Sequence, residues 1–175
     1  KTYQLSLNTL LSMERPDLNQ AIRIAQRVLL LTESHYPGER EVAVLKQINE
    51  IHKKRNNPAD QAKTELIIAQ KLEKSKDKKA AVVFYNQALA SYRKVDNQKM
   101  VSQLLTLLAN LEEGTSGKKL NRLQELESTQ EKSSDTKQLI VTRIEIGNYY
   151  KSQGDQKNAV TYYLKAGNND NGGND

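Results

Sequence analysis

The 175-residue chain is predicted to be all-α, with about nine helices paired as antiparallel hairpins, and three observations predict it. Aromatic residues make up only 5%, with no Trp and one Phe, while three prolines and eight glycines leave room for long uninterrupted helices. Apolar residues recur at helical spacing, as in Ile140, Ile144, Gly147 and Tyr150. The chain also resembles itself: when Ala69 is laid over Gly147, the stretch AQKLEKSKDKKAAVVFYNQA matches GNYYKSQGDQKNAVTYYLKA. A chain of this length fits one domain with a sizeable core.

Residues 3–13 give a short apolar helix through Leu5, Leu7, Leu10 and Leu11. Pro16-Asp17 ends it, because proline is tolerated in a helix's first turn and not inside one. The second helix, 17–34, carries Ala21, Ile24, Ala25, Val28 and Leu31; Tyr36-Pro37-Gly38 then turns the chain. The third, 39–55, points Val42, Leu45, Ile48 and Ile51 inward, and Asn57 is suited to cap the fourth, with Pro58 in its first turn. The fourth, 59–74, and fifth, 78–94, hinge at Lys76-Asp77. Asp96 is expected to cap a sixth helix through Met100, Leu104, Leu105, Leu108 and Leu111, ended by residues 114–117. A seventh, 118–131, carries Leu120, Leu123 and Leu126. Ser133-Ser134-Asp135 opens the eighth, and Gly154-Asp155 joins it to a ninth marked by Ala159, Tyr163 and Ala166. Residues 168–175, NNDNGGND, cannot pack and read as a disordered tail or linker.

The self-overlap places Asp77 on Asp155, Ala81 on Ala159, Tyr85 on Tyr163 and Ala88 on Ala166. With small residues at Ala69 and Gly147 and an aromatic at Tyr150, these hairpins resemble the tetratricopeptide repeat, a helix–turn–helix unit with a period of about 34 residues. Leu72 departs from the pattern, and Glu65 and Arg143 stand where a large aromatic is usual early in the first helix. The middle hairpin is degenerate, with Ala109 at the small position but Asn121 where alanine is expected. The spacing is nearer 39 than 34, which implies longer helices. The resemblance implies a right-handed α-solenoid over residues 1–167, with hairpins at about 17–55, 59–94, 96–131 and 135–167 and a lone helix at 3–13. A single hairpin cannot bury its apolar face, so neighbours must stack.

The resemblance also implies a concave groove lined by the first helix of each pair. There the residue after the small position, Gln70, Asn110 or Asn148, would reach the backbone of a bound protein or peptide. Amide side chains suit that task because each offers donors and an acceptor. Leu66, Thr106 and Ile144 occupy the place where some members grip a C-terminal carboxylate with lysine, so that clamp is absent. An amphipathic segment is the expected ligand instead. Leu66, Ile144 and Lys151 complete the expected groove set.

Chemistry is not expected from this chain, although a catalytic domain such as a kinase could lie outside it. Gly117-Lys118-Lys119 lacks the rest of a phosphate-binding loop, having Glu112 and Lys119 where Gly and Ser or Thr are needed. His35 and His52 have no ligand partners at helical spacing; His52 reads as a cation at a basic helix end, favoured by the helix dipole. Glu39/Glu41 and Glu112-Glu113 read as solvated or dipole-related carboxylates. The absence of Cys excludes disulfides and thiolate metal sites, and no metal or other cofactor is expected.

The expected function is that of a protein- or peptide-binding scaffold, the sensor or interaction segment of a larger signalling protein, since Lys1 is no initiator Met. The alternative is a nucleic-acid-associated or peptide-responsive regulator. It would use the basic clusters Lys53-Lys54-Arg55, Lys74 to Lys79, and Lys118, Lys119 and Arg122, in keeping with the net charge of +6. Those clusters lack interleaved aromatics, so nucleic acid is not the expected partner. The Val28 to Leu31 patch, like every other apolar run in the chain, falls far short of the roughly 18 residues of a membrane span. The sequence does not fix the compartment: a soluble cytoplasmic domain is expected, with an extracytoplasmic or periplasmic one left open. The ninth helix has no polar capping helix after it, so Tyr162 and Tyr163 near an uncapped end could pair with a second copy.

Overall fold

The structure, a computed structural model, describes residues 8–9, 12–13, 17–35, 38–111, 117–133 and 135–170. Eight helices are described: α1 (Leu18–His35), α2 (Glu39–Lys54), α3 (Pro58–Lys74), α4 (Lys78–Lys94), α5 (Gln98–Leu111), α6 (Gly117–Ser133), α7 (Thr136–Ser152) and α8 (Gln156–Asp170). No strand occurs among the described residues. Of the expected helix at 3–13, Asn8 and Thr9 are helical and Ser12 N–H donates to Asn8 O at 3.1 Å; the remainder lies outside the described residues, as do the turn residues 36–37 and 112–116. The last helix runs to Asp170, so residues 168–170, expected in the tail, are helical, and 171–175 lie outside the described residues. No described helix is long and apolar enough to cross a membrane.

One turn design recurs between the helices. Asn56, Lys76, Asp96 and Gly154 each have positive φ, at 49°, 65°, 51° and 78°. In each case the next residue's N–H reaches back five positions: Asn57 to His52 O, Asp77 to Leu72 O, Asn97 to Tyr92 O and Asp155 to Tyr150 O. This is the Schellman closure, which satisfies carbonyls that a helix end would otherwise leave bare. In three of these turns the residue that closes one helix also caps the next. Asn57, Asp77 and Asp155 accept from the N–H groups of Asp60, Ala80 and Asn158 at 3.2, 3.1 and 3.1 Å. The Asn158 backbone and side-chain donors hold the Asp155 carboxyl below its ordinary pKa. Asp96 is not the cap expected of it, because it occupies the left-handed turn position and α5 begins two residues later.

The chain divides into two compact units, Lys1–Asn97 and Gln98–Asp175. In the first, α1 packs on α2, α2 on α3 and α3 on α4; in the second, α5 packs on α6, α6 on α7 and α7 on α8. Burial exposes the register of the second helices. Leu45, Ile48, Asn49 and His52 of α2 have their counterparts in Tyr85, Ala88, Leu89 and Tyr92 of α4. The same spacing appears again in α6 as Leu123, Leu126, Glu127 and Gln130. This register puts Glu41 and Lys119, not Asn121, in line with the crossing alanines Ala81 and Ala159; Asn121 is exposed. Each unit therefore joins a first hairpin with a partly polar inner face to a second hairpin with alanine at the crossing.

That polar face explains the missing aromatics. Glu65 of α3 is buried at 1% exposure and accepts from Asn49 of α2 (3.3 Å), Gln61 of α3 (2.8 Å) and Ser91 of α4 (2.6 Å). In the second unit Arg143 of α7 takes the same place. Its Nε donates to Glu127 of α6 at 2.8 Å, one terminal nitrogen donates to Glu131 at 2.5 Å, and the other donates to the Lys165 carbonyl of α8 at 3.3 Å. A polar node thus ties three helices where an aromatic ring would have packed, and its donors and acceptors offset the desolvation of each central group.

Glu41, expected in solvent, is only 2% exposed and forms an ion pair with Lys71 Nζ that lacks hydrogen-bond alignment. His52, expected as a helix-end cation, is also buried, with Nδ1 unpartnered among the described residues, because the last turn of α2 packs inward. Burial lowers its pKa below the ordinary 6.5, with Asp60 opposing in part. Above about pH 6.5 the ring is neutral in both states and contributes nothing to pH dependence. Below that value the unfolded chain takes up a proton that the folded ring resists, so stability falls with pH until the folded pKa is reached. Replacing His52 by Gln is expected to flatten the fall in urea midpoint between about pH 6.5 and 5.5. Equal slopes for the two proteins would show that this ring is not the source.

Candidate functional site

In the second unit, the exposed side of α5 carries Gln98, Ser102, Thr106 and Asn110, a polar residue at every fourth position and so on one helical stripe. The buried small residues Ala109 and Gly147 directly precede Asn110 and Asn148. An ideal Cβ on Gly147 would stand 2.5 Å from Cε1 of Tyr163, so only glycine admits the ring at this crossing. The ring's hydroxyl donates to Asn148 Oδ1 at 2.9 Å. Asn148 is thereby held through one lone pair of its Oδ1, which leaves that oxygen a second acceptor site.

Asn110 and Asn148 line one cleft of about 330 Å³, together with Lys119, Glu145, Tyr149 and Ser152. A second cleft of about 610 Å³ in the same unit is rich in amides from Gln98, Gln103, Gln130 and Gln138, with Thr106 on its wall. Gln130 is buried at 4% exposure, and its Oε1 has no donor among the described residues. Each cleft carries one lysine and one acid, Lys119 with Glu145 and Lys99 with Asp135, so neither favours a strongly charged ligand.

The other groove residues expected from the sequence are distributed. Ile144 is exposed on α7, one turn before Asn148, and Lys151 is exposed but lines neither cleft. Leu66, half-buried, and Gln70, exposed, lie on α3 in the first unit. Neither the role of Tyr163 in holding Asn148 nor the glutamines of the larger cleft is marked by the repeat pattern. The four-residue polar spacing on α5 was the available signal for part of that lining.

The basic clusters of the first unit do not converge. Lys53-Lys54-Arg55 ends α2 beside the start of α3, and Lys74 to Lys79 lies at the other end of α3, separated by a helix of 17 residues or about 25 Å. Among the described residues no cluster of three His, Asp or Glu groups could hold a metal.

Antiparallel hairpins that stack within each unit, small residues at their crossings and the polar stripe of α5 make this an all-α helical-repeat fold of TPR-like form. The fold is similar to the crystal structure of BtubC (BKLC) from P. vanneervenii, with a TM-score of 0.57 at 16% identity, over 99% of this chain and 73% of that one. Lower-scoring similarities include the apo form of RapI, at 0.46 and 15% identity over 98% of this chain and 64% of that one. They also include TPR-like repeats of a putative kinesin light chain from Podosopora anserina, at 0.46 and 10% identity over 87% and 86%. No protein-family model matches the chain, and no curated protein does.

Proposed function

We propose that this chain is a non-catalytic interaction module whose second unit holds an extended segment of a partner protein between α5 and α7. The observation that supports this most is the shared cleft of Asn110 and Asn148. Two amides facing one cleft can pair with a peptide's N–H and carbonyl groups, a contact that carries affinity with little dependence on side-chain sequence. Exposed Val141 and Ile144 on α7 offer an apolar strip for the segment's own apolar residues, consistent with an amphipathic ligand. Balanced charge in both clefts and the missing clamp lysine argue against a free carboxyl terminus as the main determinant. Such a module suits a sensing or scaffolding segment of a larger signalling protein.

The test is affinity capture with wild type, Asn110→Ala/Asn148→Ala and Tyr163→Phe, each with a melting curve as a fold control. The double variant is expected to lose about tenfold or more in affinity for captured partners, from two hydrogen bonds of roughly 1 kcal/mol each. Tyr163→Phe is expected to melt near wild type and to lose part of that affinity, because the hydroxyl positions Asn148. Equal recovery of the same partners by all three proteins would remove the cleft from the binding surface.

A further inference from the structure

The first unit has its own cleft. When Ala69 is overlaid on Gly147, its position corresponds to the Lys119, Tyr149 and Ser152 side of the Asn110/Asn148 cleft, and the matching residues are Glu41, Lys71 and Lys74. This cleft is larger, about 520 Å³, and its floor includes the buried side chains of Val42 and Leu72. Lys46, Lys71 and Lys74 line it.

Two of these lysines are held in place. Buried Glu41 fixes Lys71 by an ion pair, and Lys46 Nζ stands 5.4 Å from the centroid of the Phe84 ring of α4. The adjoining turn adds Lys76, Lys78 and Lys79. Three acids lie nearby: Glu41, ion-paired with Lys71; Glu73, acceptor of the Tyr85 hydroxyl; and Asp77, cap of Ala80 N–H. Three lysines therefore line an apolar-floored cleft and three more lie on the adjoining turn, outnumbering the three nearby acids.

We infer that this cleft is a second docking site, which takes an acidic protein segment bearing an apolar anchor. The anchor sits over Val42 and Leu72, and the flanking carboxylates meet Lys46, Lys71 and Lys74. Charge complementarity sets the sign of the ligand. The apolar floor distinguishes a protein segment from nucleic acid, which would need exposed aromatic platforms or a continuous basic track along a backbone. The corresponding place in the second unit, with one lysine and one acid, lacks this preference, so the two units select different ligand chemistry.

The experiment uses the full chain and a fluorescein-labelled synthetic peptide in which glutamates flank a central phenylalanine, read by anisotropy. Comparison probes are the same peptide with Gln for Glu, the same peptide with Ser for Phe, and a single-stranded oligonucleotide. Wild type is expected to bind the acidic peptide and to bind both altered peptides more weakly. Lys46→Glu/Lys74→Glu is expected to lose about tenfold or more for the acidic peptide. Lys74→Gln, a change at an exposed residue that leaves both held lysines in place, is expected to lose a smaller part. Asn110→Ala/Asn148→Ala is expected to bind it as wild type does, which separates this site from the amide cleft. Equal binding by wild type and Lys46→Glu/Lys74→Glu, or no binding by wild type, would overturn the inference. So would an oligonucleotide that displaces the peptide and is itself released by the lysine variants, since the site would then be one for nucleic acid.

Discussion

Arg143→Met is expected to destabilise the second unit by about 3–5 kcal/mol, the largest single effect in the molecule. Arg143 is 9% exposed and its guanidinium donates to Glu127, itself 8% exposed, so removing it strands a carboxylate in the interior. The Lys165 carbonyl and the half-exposed Glu131 lose a donor as well, but both are near enough to water to recover one. If the cost comes from the stranded charge, Glu127→Leu added to Arg143→Met should restore most of the stability, since apolar replacement of a whole buried pair is often neutral. Urea unfolding of the two single variants and the double variant measures this directly. Additive losses would show that the node contributes through each partner separately and not through the pair.

Gly147→Leu is expected to cost about 3 kcal/mol, at the upper end of overpacking effects, because the first added carbon already overlaps the Tyr163 ring. Gly147→Ala should cost less, because alanine gains about 1 kcal/mol of helix propensity over glycine. The first unit points to a remedy. There Ala69 and Tyr85 coexist fully buried, and the Tyr85 hydroxyl turns to Glu73, raising its pKa together with burial. Residue 151 corresponds to Glu73, so Lys151→Glu should recover part of the stability lost by Gly147→Ala. Thermal melts showing no coupling between the two substitutions would mean that Tyr163 has no alternative seat.

Much of the architecture was legible in the sequence because it depends on local signals. Asn57, Asp77 and Asp155 announce helix starts, and Ala81, Ala88, Ala159 and Ala166 announce close crossings. The polar nodes were visible only as departures at Glu65 and Arg143. Their partners Asn49 and Glu127 lie 16 residues upstream on the preceding helix, and only the packing of α2 on α3 and α6 on α7 joins them. The middle hairpin's register was misplaced because its crossing position holds lysine, and no small residue marks it; burial of Leu123 and Leu126 fixes it instead. Asp96 reads as a cap from its residue type, but its φ of 51° places it in the left-handed turn position, which only the folded backbone reveals. In the amide cleft, Asn110 and Asn148 followed from the repeat pattern, whereas the Tyr163 hydroxyl depends on a ring position that Gly147 alone makes available. The lysine cleft draws on α2, α3 and their turns, so no linear stretch displays it.

A chain made of look-alike hairpins can assemble out of order, each apolar face being nearly as good a seat as the next. The two nodes make such errors costly. If α3 docked on α6 in place of α2, Glu65 would meet Glu127, bringing two carboxylates together away from water. If α7 docked on α2, Arg143 would lose both carboxylates and face the neutral Asn49. Each node thus works as a lock that accepts one neighbour and refuses the other. Exchanging the charge set of one unit into the other should make misassembled or domain-swapped forms more frequent during refolding.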